Sequence, residues 1–237
     1  MNSTRNSVLE REPARLPDVL GLELSAIIER RIIYLQLAPG SHITEQELCD
    51  EFNVSRSPVR EAFRQLEASG LIVRHARRGV RVTPMTEEDL NEIYFCRIPL
   101  EALAASCAAK NRQDDDLLFL KARLDAMEQA LVKADGEAFF GDNVAFINRV
   151  HQVTGNRMLS SLLSIVEKHA MRYRYFAHTH SRTMLQNSAE GLHGLYESIR
   201  DSKSAQSKQR MLALMRKAHQ LIAGVLRDHP SLSVPEN

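Results

Sequence analysis

Apolar residues recur at helical intervals along most of this 237-residue chain, and the breaks between them predict two unlike halves. The first such segment, residues 19–37, ends at the breaker pair Pro39-Gly40. From residue 87 to residue 227 no strand pattern interrupts the helical period. The helices expected there lie near 87–110, 113–133, 136–153, 157–178, 184–202 and 204–227. The predicted fold class is mainly α, with an all-helical bundle of about six helices in the second half.

A short helix is predicted to begin at Thr44, where TEQE has the spacing of a capping box. In that motif the Thr44 hydroxyl accepts from the amide of Glu47, and the Glu47 carboxylate accepts from the amide of Thr44. The helix ends by Phe52, and Asn53-Val54 forms a very short turn. Two helices joined in this way are typical of a helix-turn-helix.

The next helix begins at Ser55 or Ser57, either of which can cap it, with Pro58 in its first turn. Its apolar positions share one face: Val59, Phe63 and Leu66. Its arginines form a neighbouring stripe: Arg56, Arg60 and Arg64. One face of this helix is therefore expected to pack, while the other presents guanidinium groups to solvent.

A basic hairpin follows in LIVRHARRGVRVTP, with strands predicted over Leu71–His75 and Val80–Thr83 and with Gly79 in the turn. Together these elements predict an N-terminal winged helix-turn-helix. We expect four parts in the chain: a flexible arm over residues 1–15, the winged helix-turn-helix over 16–83, a linker over 84–88, and a helical domain over 89–229.

Positive charge is concentrated in the first half, although the whole chain has a formal net charge of +1. Seven arginines lie between residues 56 and 81, with Glu61 and Glu67 as the acidic residues among them. Arginine's planar fork matches the O6 and N7 acceptors of guanine in the major groove. The predicted partner is therefore double-stranded DNA. The alternative is a solvated helix face on which Arg64 and Glu67 form an ion pair.

The start of the arginine-bearing helix carries the best-placed candidates for DNA contacts. We expect Arg56 and Arg60 to reach base edges, whereas Ser55 and Ser57 suit phosphate contacts. The candidates at the hairpin tip are Arg77, Arg78 and Gly79. Side chains at that tip can enter the minor groove or contact the DNA backbone.

Composition excludes several other classes of protein. No stretch approaches the roughly 18 apolar residues of a membrane-spanning helix. The N-terminus lacks the apolar core of a signal peptide. The three cysteines form no CxxC pair and indicate neither a disulfide framework nor a zinc ribbon. These features predict a cytoplasmic protein.

The segment PGSHITEQELCDEFNVSRSPVREAFRQLEASGLIV, followed by RRGVRV, closely resembles the DNA-binding domain of the GntR family of bacterial transcriptional regulators. The resemblance covers about residues 19 to 83, and TEQEL and VSRSPVREA both occur at the family's spacing. It implies DNA contacts by Gln46, Ser55, Arg56, Ser57, Arg60 and Gly79.

The second half is similar to the effector domain of the FadR-type subgroup, usually called the FCD domain. IYFCRIPLEALAASCAA resembles its first helix, and VTGNRML resembles its fourth-helix boundary. The resemblance implies a helical bundle that dimerises and binds a small molecule, commonly a carboxylate metabolite. It also implies that this effector alters the affinity for DNA.

Members of that subgroup commonly hold a metal with one Asp and three His. In this chain the expected ligand positions are Asn143, Ile147, Leu192 and Ala218. A different register offers His151, His193 and His219, with Asp142 or Asn143. Such a set would suit zinc, nickel or manganese. The alternative is that these histidines are polar pocket or surface groups.

The candidates for contacts with the effector are Arg97, Asn143 and His193. Arg97 occupies the position of an arginine in the family pattern, where it can pair with a ligand carboxylate or with Glu101 one turn later. His178 and His180 are interpreted as surface groups in a loop. Either side of the RYRYF segment could line a pocket, but its arginines, Arg172 and Arg174, are expected to point outward.

These features favour a homodimeric transcription regulator that responds to a ligand. Regulators of the GntR family, which the chain resembles, usually repress transcription. One alternative is a metal-dependent helical enzyme with an accessory DNA-binding domain, although the chain has no HExxH, GxSxG or P-loop motif. Another is a structural DNA-binding protein without an effector. We therefore expect no enzymatic activity.

Overall fold

The computed structural model describes residues 16–75 and 79–232. The predicted arm over residues 1–15 lies outside the described residues, as do Arg77 and Arg78. The fold is mainly α, as predicted. The helices of the first half are α1 Leu16–Ile33, α2 Glu45–Phe52 and α3 Arg56–Ala68. The strands are β1 His42–Ile43, β2 Ile72–His75 and β3 Gly79–Val82.

A three-stranded antiparallel sheet with the order β1-β3-β2 packs with these helices. The hairpin of β2 and β3 was predicted, but β1 was not, because a strand of two residues is too short to show an alternating pattern. In the sheet, His42 pairs with Arg81 and Ile43 with Val80. The winged part has its own apolar core, which includes Ile28, Ile32, Phe63, Leu66 and Val82.

The second half consists of long helices: α4 Glu87–Asn111, α5 Asp114–Lys133, α6 Gly136–Gln152, α7 Arg157–His180, α8 Arg182–Arg200 and α9 Ser204–Arg227. A short 3-10 helix, Pro230–Leu232, follows. Side-chain caps fix several of these starts; the Thr86 hydroxyl, for example, accepts from the amide of Asp89 at 3.0 Å. The predicted helices agree with these bounds to within a few residues. The division of the chain at residues 84–88 stays a prediction.

Helix α4 lies along α9 and also contacts α6, α7 and α8, so it runs through the middle of the bundle. Because α4 is central, its residues face the interior on several sides: Tyr94, Arg97, Glu101, Ala104 and Ala108 are all buried. Among the described residues, no helix is long and apolar enough to cross a lipid bilayer.

Candidate nucleic-acid interface and buried cavity

The start of α2 is held by the predicted capping box. The amide of Glu47 donates to the Thr44 hydroxyl at 3.1 Å, and the amide of Thr44 donates to the Glu47 carboxylate at 3.0 Å. Helix α2 ends at Phe52, and its C-cap residue Asn53 takes a left-handed conformation with φ 49°. Asparagine tolerates that conformation better than most residues, so the chain can turn sharply into α3.

The face of α3 that packs and the face that is exposed are those predicted. Val59, Phe63 and Leu66 are fully buried against the winged core. The four candidates for DNA contacts at the start of this helix are exposed: Ser55, Arg56, Ser57 and Arg60. Ser55 occupies the cap position, but its side chain makes no capping hydrogen bond, so its hydroxyl can contact another group.

Residues of α2 bind the arginines of α3. Arg56 donates from Nη2 to Oε1 of Gln46 at 3.2 Å. Arg60 donates from Nε to Oε2 of Glu45 at 2.9 Å. The Arg60 side chain remains 61% exposed in this ion pair. An ion pair this exposed contributes between about 0 and 1 kcal/mol, so contact with DNA can replace it at small cost.

Arg64 does not pair with Glu67, which was the partner considered from the sequence. It donates to Glu61 instead, from Nη2 at 2.7 Å and from Nε at 3.0 Å. Glu67 lies 3.7 Å from Arg74 of the hairpin. On a helix, Arg64 can pair with a glutamate three residues before it or three residues after it. Because Glu67 lies near Arg74 of β2, Arg64 pairs with Glu61.

Gly79 at the wing takes a left-handed conformation with φ +77° and lies against His42. A β-carbon at this position would clash with the His42 ring, so both the backbone and the neighbouring side chain favour glycine. The two other wing candidates, Arg77 and Arg78, lie outside the described residues.

Within the bundle, Arg97 is one of the most deeply buried side chains, with 1% exposure. Its guanidinium lies 3.0 Å from Oε1 of Glu101 and 2.9 Å from Oε2 of Glu167. It also donates from Nη1 to the Tyr94 hydroxyl at 3.0 Å. The other carboxylate oxygen of Glu101 lies 2.8 Å from Nε2 of His151.

A second buried arginine extends this network and was missed from the sequence. Arg174 pairs with Glu167 and donates from Nη2 to Oδ1 of Asn143 at 2.5 Å. Its carbonyl lies 2.6 Å from Nδ1 of His178, whose other ring nitrogen lies 3.2 Å from the Ser188 hydroxyl.

The predictions that Arg172 and Arg174 point outward and that His178 is a surface residue were therefore wrong. All three are buried on α7. The sequence carried a usable signal, because Glu167, Arg174 and His178 continue the helical spacing of the buried Leu159 and Leu163.

Burial and neighbouring charge shift the pKa values of these groups. Burial lowers the pKa of His178 to about 3, and the charges of Arg174 and Arg97 add to this effect. Burial, together with the charge of Arg97, lowers the pKa of Arg174 to about 9. Burial by itself raises the pKa of Glu101, but the charges of His151 and Arg97 outweigh it and hold the value at about 2.

A cavity of about 20 Å³ lies beside this network. The four positions at which the resembled subgroup places its metal ligands all line it: Asn143, Ile147, Leu192 and Ala218. Arg97, Arg174, His178 and Ser188 line it as well. The positions implied by the resemblance to the FCD domain therefore lie at the centre of the bundle, whereas the alternative histidines do not all reach it.

The alternative metal ligands considered from the sequence were His151, His193 and His219. These three histidines do not converge, which corrects that prediction. His151 pairs with Glu101, and His219 lies 2.8 Å from Oδ1 of Asn91 and stacks on Tyr94. His193 is exposed near Glu197 and does not line the cavity, so its expected role in binding the effector is not supported either. His193 and His219 each lie one position after the inward-facing residues Leu192 and Ala218, which turns them about 100° around their helices, whereas His151 lies one turn after Ile147 and is held by Glu101.

The cavity residues do not fit a transition metal. Of the four family positions, only Asn143 carries a donor atom, and its oxygen is already bonded to Arg174. Asp142, the alternative acidic ligand, pairs with Arg123 at 2.9 Å. Within residues 16–75 and 79–232, no group of three His, Cys, Asp or Glu side chains is arranged to hold a metal. The cationic groups at this cavity are the guanidinium groups of Arg97 and Arg174.

A winged helix-turn-helix with an exposed arginine helix, followed by a helical bundle with a buried polar cavity, defines a class of DNA-binding transcription regulators. Residues 20–82 match the family described as bacterial regulatory proteins, gntR family. Residues 92–217 match the FCD domain. The chain belongs to the GntR family and carries an FCD domain in its second half, and it is a DNA-binding transcriptional regulator.

Curated relatives agree with this assignment. The chain is 32% identical over 179 residues to the HTH-type transcriptional regulator YdhC of Bacillus subtilis (strain 168), covering 74% of this chain and 78% of that protein. It is 27% identical to the HTH-type transcriptional repressor RspR of Escherichia coli (strain K12), over 67% of this chain and 69% of that one. The match to the gluconate operon transcriptional repressor of Bacillus licheniformis, at 32% identity, covers 53% of this chain and 51% of the relative.

Solved structures share the fold. McbR/YncC of E. coli superposes with a TM-score of 0.75 at 21% identity, over 89% of this chain and 98% of that one. A GntR regulator from Rhodococcus sp. RHA1 superposes with a TM-score of 0.69 at 24% identity, over 86% and 97%.

Proposed function

We propose that this protein is a homodimeric repressor that reads a palindromic operator and is controlled by an anionic small molecule, a carboxylate metabolite, in the buried cavity. The observation that carries the operator proposal is the exposed start of α3, where Ser55, Arg56, Ser57 and Arg60 share one surface. A helix in the major groove contacts bases through its N-terminal residues, so this surface suits base and phosphate contacts. Repression is supported by relatives whose names describe repressors.

We assign base reading to Arg56 and Arg60 and a supporting contact to Gln46, which already binds Arg56. The serines are assigned to phosphates, because both are exposed at the start of α3 and the Ser55 side chain makes no capping hydrogen bond. Gly79, with Arg77 and Arg78, is assigned to the wing contact.

The effector proposal rests on Arg97, Asn143 and Arg174, which bring two guanidinium groups and an amide to one cavity. A carboxylate ligand can compete with Glu167 for Arg174, because the ligand and Glu167 both carry a carboxylate that can pair with the Arg174 guanidinium group. At about 20 Å³ the closed cavity has room for little more than one water molecule. Binding must therefore move α8 or α9 relative to α6 and α7, which gives the ligand a structural effect to transmit.

The dimer proposal rests on exposed apolar residues of α4 and α7, two helices that pack together. On α7, Met158, Leu162 and Ile165 are 69%, 43% and 56% exposed and share one face. On α4, Phe95 is 82% exposed. Apolar residues grouped in this way mark interaction surfaces, and a second copy of the chain also supplies the two-fold symmetry of a palindromic operator.

The test is selection of an operator from random-sequence DNA, followed by titration with small carboxylates. A carboxylate that shifts the operator affinity of the wild type, but shifts it less in Ser188→Ala, supports the cavity as its site. The exposed Ser161→Ala is the matched control. If no DNA sequence is enriched, the regulator proposal fails; if operator binding ignores every carboxylate, the effector proposal fails alone. The metal-dependent enzyme considered from the sequence is not supported by the comparisons.

A further inference from the structure

A larger cavity, of about 380 Å³, lies where the winged part meets the bundle. The winged part contributes Gly70, Leu71 and Thr83 to its wall, and α4 and α7 contribute the rest. None of these residues belongs to the candidate DNA surface or to the buried effector cavity. The volume is in the range of sites that hold small organic ligands.

The walls of this junction cavity are held together by side chains of α7. Arg172 donates from Nη1 to the carbonyl of Thr83 and from Nη2 to the carbonyl of Pro84, the latter at 3.0 Å. Lys168 pairs with Glu29 of α1 at 2.6 Å. These bonds join α7 to α1 and to the chain at Thr83 and Pro84, next to the cavity.

Both apolar and polar groups face the space. Leu71, Ile93 and Val166 provide an apolar wall. Asp89 and Glu92 lie three residues apart on α4, which places both carboxylates on one side of that helix. In the described part of the chain, neither carboxylate has a hydrogen bond or an ion pair, and because Asp89 is half-buried and Glu92 is exposed, both are accessible to a ligand.

The balance of charge points to a cationic ligand. Asp89 and Glu92 are negative and Arg172 is positive, so the cavity retains one uncompensated negative charge. Burial, with help from the charges of Arg172 and Lys168, lowers the pKa of His169 and keeps its imidazole neutral at physiological pH. A metal does not suit the site, because no group of three ligating side chains among the described residues has the required arrangement.

We propose that this junction cavity binds a small amphipathic organic amine. Its ammonium group lies between the carboxylates of Asp89 and Glu92, and its apolar body packs against Leu71, Ile93 and Val166. The ligand then touches both the winged part and the bundle, and it stabilises the orientation in which the two meet. This site is separate from the effector cavity and does not depend on the function proposed there.

The test is isothermal titration of the full-length protein at neutral pH with three probes of equal length: hexylamine, hexan-1-ol and hexanoate. We expect hexylamine to bind at least about tenfold more tightly than the alcohol, because a charge-assisted hydrogen bond contributes that much. Hexanoate should bind no better than the alcohol. Equal binding of amine and alcohol, or no binding of the amine, would overturn the proposal.

Two variants and one control locate the site. Glu92→Gln removes one carboxylate and should weaken hexylamine binding about tenfold. Val166→Phe fills the cavity and should abolish binding, and an unchanged circular dichroism spectrum shows that the variant is folded. Glu88→Gln, an exposed change on the same helix, should leave binding as it is. Binding that persists in both cavity variants, or that falls equally in Glu88→Gln, places the amine elsewhere and contradicts the proposal.

Discussion

Arg97 and Glu101 form an ion pair across one turn of α4, with Nη2 3.0 Å from Oε1 and with both side chains almost fully inaccessible to solvent. From the sequence, Arg97 was equally suited to a ligand carboxylate and to Glu101. The structure places it against Glu101, and it also contacts Glu167 and lines the small cavity. Arg97 is therefore held in place before any ligand arrives.

Removing the Glu101 charge should destabilise the protein strongly. In Glu101→Gln, Arg97 and His151 lose the carboxylate between them, and breaking a buried pair in this way costs about 3–5 kcal/mol. The measurement is urea unfolding at neutral pH. The control is Glu197→Gln, a half-exposed pair 3.5 Å from Arg210, which should cost less than about 1 kcal/mol. Similar losses in both variants would contradict a structural role for the buried pair.

The buried His178 predicts a dependence of stability on pH. Its pKa is about 3 in the folded protein against 6.5 for the free group, so between these values the unfolded chain binds a proton that the native state does not. Stability should therefore fall as the pH falls below 6.5, by at most about 1.4 kcal/mol per pH unit from this group.

His178→Gln should flatten that dependence between pH 6.5 and 4.5, the lower limit being the ordinary pKa of the Glu101 carboxyl. Thermal or urea unfolding at several pH values measures it. His193→Gln, which replaces an exposed histidine, is the control. The assignment to His178 is wrong if the curves of wild type and His178→Gln stay parallel.

Arg60→Ala should weaken operator binding by about 1–3 kcal/mol if the side chain reads a base. Binding to random DNA should change less, because base contacts carry the specificity. Fluorescence anisotropy at one fixed salt concentration compares the two DNAs. Arg64→Ala is the matched control, since Arg64 lies one turn further from the start of α3 and binds Glu61. Equal loss on both DNAs would assign Arg60 to the backbone instead.

Leu162→Glu should convert the proposed dimer to monomers, because it places a charge among the exposed apolar residues of α7. Val132→Glu makes the same change at an exposed apolar residue of α5, 83% exposed, and should leave the dimer intact. Sedimentation velocity over a range of protein concentrations distinguishes the two states. A Leu162→Glu variant that stays dimeric would exclude this face of α7 as the interface.

Chelation should have no effect on stability. The cationic groups of the small cavity are the guanidinium groups of Arg97 and Arg174, which EDTA cannot remove. The measurement is the midpoint of thermal unfolding before and after dialysis against EDTA. A lower midpoint that zinc, nickel or manganese restores would show a structural metal and would overturn the account of this cavity.

The sequence by itself determined the order and the approximate limits of the helices, the hairpin and the exposed arginine face of α3. These features depend on signals that act within a few residues, such as the capping box at Thr44, the helical period and the glycine at position 79. The positions around the small cavity were also predictable, because the resemblance to the FCD domain places its ligand positions at Asn143, Ile147, Leu192 and Ala218.

Tertiary structure decided which charged groups meet. Glu167 and Arg174 on α7 bind Arg97 on α4 and Asn143 on α6, and no local pattern states which helices are neighbours or how they are rotated. A rotation of one residue separates an inward side chain from an outward one, which is why His193 and His219 miss the cavity. The junction cavity, too, exists only because α4 and α7 pack against the winged part.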